Sequence, residues 1–77
     1  MTTTTLDAVE AGATVRLAEP EASLDSTFRE HLAAYGLVPG HRVTVLAQRP
    51  MTLVLCDHVE LALEREVAAK LRVERSA

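Results

Sequence analysis

The apolar and polar positions of this chain change period several times, and each change marks a boundary. From Ala13 to Glu19 they alternate, with Val15 and Leu17 on one face and Thr14 and Arg16 on the other. This predicts a half-buried strand, stopped by Pro20. Between Ser23 and Tyr35 the period lengthens. Leu24, Phe28, Leu32 and Tyr35 form one stripe of an amphipathic helix, with both aromatics expected in the core. Thr27 followed by Glu30 fits a capping box, and Ser23 or Asp25 serves equally well as the N-cap. At the far end Gly36 suits a left-handed residue, which lets Leu37 fold back onto Leu32. The next four residues, Val38-Pro39-Gly40-His41, read as a type II turn, because Pro fixes φ at its second position and Gly accepts a positive φ at its third.

Alternation returns from Arg42 to Gln48, with Val43, Val45 and Ala47 on one side. Pro50 interrupts, and Thr52 to Cys56 is a short strand that is apolar on both faces. Asp57-His58 stands where a two-residue hairpin turn belongs, without the usual glycine. Val59, Leu61 and Leu63 then alternate with Glu60, Ala62 and Glu64. Helical spacing follows: Glu64 with Ala68, Glu66 with Lys70 and Val67 with Leu71 predict a second helix of about two turns. Arg72 to Glu74 can add a closing strand. At the other end, Met1 to Thr5 is polar and repetitive and is expected to be a disordered tail, and Leu6 to Val9 a single turn closed by Gly12. The expected fold is one domain over residues 6–75, mainly β with two helices. Short strands joined by tight turns fit a small antiparallel β-barrel capped by the amphipathic helix, since closure removes exposed edges.

Composition narrows the function. At 77 residues the chain has room for one core, and of its 48% apolar residues twelve are alanine. With no Trp, one Phe and one Tyr, that core must be aliphatic. The net charge of −3 argues against a nucleic-acid partner and against electrostatic attraction to anionic lipid. No apolar run exceeds four residues, so neither a membrane span nor a secretory signal is expected, and the reading is of a cytoplasmic protein. A single cysteine, Cys56, leaves no intramolecular disulfide.

The run from Phe28 to Gly40, followed by Arg42 to Val45, Val59 to Leu63, Glu66 to Ala68 and Val73, resembles the FeoA family of small accessory proteins of bacterial ferrous-iron transport. The turn carrying the resemblance is Leu32, Gly36, Leu37, Pro39 and Gly40, with Leu61, Ala62 and Leu63 following in order. The resemblance spans about residues 6–74. It implies an SH3-like barrel with helical insertions. It also implies binding to, and modulation of, the cytosolic GTPase region of a FeoB-type membrane transporter. Two departures fall on loops where partner contacts usually lie: a shortened connection at Gln48 to Met51, and Asp57 or His58 in place of a hairpin glycine. The same barrel occurs as the C-terminal domain of iron-dependent repressors of the DtxR type. That leaves open a second reading, a stand-alone transition-metal-binding or metal-sensing domain.

The chemical signals are sparse. Cys56 and His58 flank Asp57, and a thiolate with an imidazole suits Zn²⁺ or Fe²⁺, with His41 as a further donor. Against this, Cys56 is equally a small buried hydrophobe and His58 a wet turn residue. His31, on the helix flank, is expected in solvent. There is no nucleophile elbow and no Gly-rich phosphate loop, and Glu60, Glu64 and Glu66 read as a solvated face, so catalysis and an organic cofactor are not expected. What remains is protein–protein contact. The candidate surface is Leu46, Met51, Leu53 and Leu55, which lie opposite the strand positions assigned to the core; the converse, in which these four fill the barrel and the other set faces out, fits the alternation equally, since Leu53 to Cys56 is apolar on both faces.

Overall fold

The computed structural model describes residues 2–20 and 24–75. Ser23, one of the three N-cap candidates, lies outside the described residues, as does Met1 of the expected tail. In chain order the elements are β1 (Thr2–Thr5), a 3₁₀ turn (Leu6–Ala8), β2 (Thr14–Leu17), α1 (Ser26–Ala34), β3 (Arg42–Ala47), β4 (Thr52–Cys56), β5 (Val59–Leu63), α2 (Arg65–Ala68) and β6 (Arg72–Arg75).

All strand pairs are antiparallel, in one six-stranded sheet ordered β1-β6-β2-β3-β4-β5. Two expectations are corrected here. Thr2 to Thr5 is a strand and not a disordered tail, pairing with β6 from Thr2↔Arg75 to Thr5↔Arg72. The β-branched threonines suit an extended backbone, and β6 offers them an otherwise unpaired edge. The sheet is also open where a closed barrel was expected: among the described residues no ladder joins β1 to β5. The segment that follows β1 is held by a side chain instead. Leu6 and Val9 of the 3₁₀ segment are almost fully buried. The Gln48 side chain ties them to the sheet, donating from Nε2 to the carbonyls of Leu6 (2.9 Å) and Val9 (2.6 Å) and accepting at Oε1 from Thr52 Oγ1 (2.7 Å).

The core is aliphatic, as composition requires. Val15 and Leu17 of β2, Val43 and Val45 of β3, Val54 and Cys56 of β4, Leu63 of β5 and Val73 of β6 join Leu6, Val9, Leu24, Leu32, Leu37, Ala68 and Leu71 in one cluster. Alternation anticipated Val15, Leu17, Val43 and Val45, but not the place of Ala47, expected on the same side. The β3–β4 register slips between Val45 and Ala47, so Leu46 is the extra residue of a bulge and Ala47 pairs with Leu53 on the outer face. Ala47 therefore does not share the inward side of Val43 and Val45.

Helix α1 is shorter than its stripe suggested. It starts at Ser26 with Asp25 as N-cap, although no side chain makes a capping hydrogen bond. Of its residues only Leu32 is buried. Phe28 and Tyr35, expected in the core, are 39% and 54% exposed. The helix seats on Leu32 and the half-buried Arg29, which turns both aromatics outwards. Its end follows the expected Schellman pattern: Leu37 N–H donates to Leu32 O and Gly36 N–H to Ala33 O, both at 3.0 Å, with Gly36 at φ +90°. The type II turn follows, with His41 N–H on Val38 O (3.1 Å) and Gly40 at φ +94°. This corner is bonded to β2 on both sides, Leu17 N–H to His41 O and Gly40 N–H to Leu17 O, each 2.8 Å. The second helix is one turn, not two, because after Ala68 the chain must rejoin the sheet at Arg72.

Candidate partner-binding face

The two faces of β4 differ sharply. Thr52, Val54 and Cys56 point inwards and are buried, whereas Leu53 and Leu55 point outwards and are half-buried. Leu53 is flanked across the sheet by Ala47 and Ala62, and Leu55 by Thr44 and Glu60. The bulge sets Leu46 beside this row, and Met51 stands at the start of β4; both are 37% exposed. Leu53 and Leu55 thus share the outer face of β4, with exposed Leu46 at the adjoining bulge and exposed Met51 just before the strand. This outer face is aliphatic, with Glu60 beside Leu55 across the sheet. A second apolar surface lies beside α1. It is a shallow groove of about 260 Å³, lined chiefly by Leu17, Leu24, Leu32, Leu37 and Leu71 with Arg29 at its side.

The candidate metal donors are distributed differently. Cys56 is 1% exposed and points into the core, while His58 is exposed on the β4–β5 hairpin. Asp57 between them takes φ +57°, a left-handed conformation that Asp tolerates better than most residues, and so replaces the missing glycine. The side chain that approaches Asp57 is His41, not His58, with Nε2 3.8 Å from Oδ2. Both groups are solvent-exposed, so the contact is screened and contributes little. Among the described residues no three His, Cys, Asp or Glu side chains converge as a metal would require. Burial pushes the Cys56 thiol above its ordinary value of 9.0, and the Asp57 carboxylate adds to the shift, so the sulfur is held as a neutral thiol.

That shift has a testable sign. Between pH 9 and the raised folded-state value the native chain holds a proton that the unfolded chain loses, so stability is lost as pH rises through that range. Native protein should also react with a thiol alkylating agent at least roughly tenfold more slowly than the urea-unfolded chain. Equal rates, followed by mass spectrometry, would mean that the sulfur is not sealed.

Two functional contributors escaped the sequence pattern. The sequence marks Gln48 as a strand end and the start of a shortened connection but not as a hydrogen-bonding hub, and the bulge at Leu46 carries no signal beyond an apolar residue out of phase. Glu10 and Arg75 form an exposed pair (2.6 Å) that joins the end of β6 to the loop before β2. Backbone donation at Glu10, together with the Arg75 guanidinium, lowers the carboxyl below its usual range.

A family model described as the FeoA domain matches residues 4–75. The chain belongs to the FeoA family. The solved structure of a FeoA protein from Chlorobium tepidum is 25% identical, with a TM-score of 0.84, covering 95% of this chain and 70% of that one. The crystal structure of an iron uptake regulatory protein, also FeoA, superposes with a TM-score of 0.84 at 19% identity, covering 96% and 97% of the two chains. A manganese-dependent transcriptional repressor matches at 25% identity and TM-score 0.85; it covers 96% of this chain, which spans only 42% of the repressor. Comparison with curated protein sequences gave no significant match. The FeoA fold seen here is therefore the SH3-like one expected, carried on an open sheet. Among the described residues no helix is long and apolar enough to cross a membrane.

Proposed function

We propose that this FeoA-family chain is a non-catalytic adaptor of ferrous-iron uptake. It binds the cytosolic GTPase region of a FeoB-type transporter and modulates it through the outer face of β3–β5. The observation that carries the reading is the outward Leu53 and Leu55 of β4 with exposed Leu46 and Met51 close by in the chain, on a domain whose family is that of iron-transport accessories. Aliphatic side chains standing together on an exposed sheet face gain free energy when a partner removes them from water, at roughly 25 cal/mol per Å². The alternative of a stand-alone metal sensor draws on the repressor likeness, but the buried, protonated Cys56 and the outward His58 do not favour it.

The test is capture of the transporter's cytosolic domain by the purified chain, with and without a chelator. Capture is expected in both conditions, and is expected to be lost with Leu55→Glu while the circular dichroism and melting temperature stay close to wild type. Metal-dependent capture, or retention that depends on Cys56, would instead support the sensor.

A further inference from the structure

The open sheet leaves β5 as an edge strand, and its sequence is self-complementary. The hairpin connection has two residues, so Cys56 and Val59 are the hydrogen-bonded pair that closes it. Val59, Leu61 and Leu63 consequently use their backbone groups on β4. Glu60 and Ala62 direct theirs away from it, and no described residue pairs with them. This edge has no proline and no bulge, Val59 at its tip is 43% exposed, and its one charged side chain is Glu60.

We propose that β5 pairs antiparallel with β5 of a second copy of the chain, about a two-fold axis through Leu61. Charge selects both occupant and register. Only Glu60 and Ala62 offer free backbone groups, so three symmetric registers are possible near the strand centre. Placing Glu60 opposite Glu60 sets two carboxylates face to face. Centring on Ala62 sets Glu60 against Glu64 of the second copy. Centring on Leu61 avoids both clashes, putting Glu60 opposite Ala62 and Val59 opposite Leu63. The same register sets the His58 imidazole across from Glu64, and brings the Asp57 end of one hairpin to the Arg65 end of the other, so the opposite charges of Asp57 and Arg65 flank the apolar centre. Leu61, half-buried in one copy, meets its own equivalent at the axis and extends the core side of the sheet across the interface. The outer faces of the two copies become continuous in the same way.

Sedimentation velocity of the full chain over a range of concentrations, combined with amide hydrogen exchange, tests this directly. A monomer–dimer equilibrium is expected, with the Glu60 and Ala62 amides gaining protection as concentration rises. Ala62→Pro removes an outward-facing donor and leaves the β4 ladder intact, so it should raise the dimer dissociation constant at least roughly tenfold. Arg65→Glu should weaken association in a salt-dependent way without touching the strand. A chain that stays monomeric throughout overturns the proposal. So does a dimer whose Glu60 and Ala62 amides exchange as freely as in the monomer, a result that does not depend on how well the proline variant folds.

Discussion

Gln48→Ala is expected to destabilise the fold by about 2–4 kcal/mol, a large share of what a domain this small possesses. The Gln48 side chain serves three partners at once: the carbonyls of Leu6 and Val9 and the hydroxyl of Thr52. Thr52 is completely buried, so removing its acceptor strands a hydroxyl that water cannot reach. The two carbonyls belong to the segment that places Leu6 and Val9 in the core, so the loss also loosens an apolar anchor. Thermal unfolding should show a midpoint lower by roughly 10 °C or more. Gln48→Glu separates hydrogen bonding from packing, since it keeps the shape and the Thr52 acceptor but turns a carboxylate towards two carbonyl oxygens. Its carboxyl pKa should be raised in the fold, so that its stability is retained at acid pH and lost as pH rises. If both variants melt with wild type, the bridge between the 3₁₀ segment and the sheet does not matter.

Gly36→Val is the second large effect, expected at about 2–3 kcal/mol. Two independent causes add. A φ of +90° is strained for any residue with a Cβ, most of all a β-branched one. A Cβ built there would also lie 3.2 Å from Cys56 Sγ, tighter than ordinary contact, in a core where the sulfur has little room to retreat. The causes can be separated by a double-mutant cycle of Gly36→Ala with Cys56→Ala. Removing the sulfur should relieve the contact but not the backbone strain, giving a coupling of roughly 0.5 kcal/mol or more. Strict additivity in chemical denaturation would assign the whole cost to the backbone.

These two positions also show what the sequence made legible. The Gly36 corner was readable because its chemistry is local. A residue able to take positive φ, a hydrophobic residue after it and a Pro-Gly pair within four positions specify the helix stop and the turn without reference to the rest of the fold. Gln48 was not readable, because its partners Leu6 and Val9 lie about forty residues earlier in the chain and no pattern in a single segment encodes that pairing. The threonines of β1 failed for the same reason: only the distant β6 makes a strand of them. The aromatic stripe of α1 misled because periodicity fixes which residues share a face but not how far that face turns towards the core, and here Arg29 and Leu32 set the rotation. At the candidate site, alternation alone does not say which face of β4 lies outside, because Leu53 to Cys56 is apolar on both; pairing with β3 and β5 turns Leu53 and Leu55 outwards, and the bulge that adds Leu46 and turns Ala47 outwards left no mark in the alternation.

The outer face of β3–β5 is the centre of the functional account, and nuclear magnetic resonance titration of the isotope-labelled chain with the unlabelled cytosolic domain of the transporter tests it most directly. Binding through this face predicts that the largest shift changes fall on Leu46, Met51, Leu53 and Leu55 and their cross-strand neighbours Ala47 and Ala62. Changes confined to the groove beside α1, or no changes at saturating partner, would contradict it.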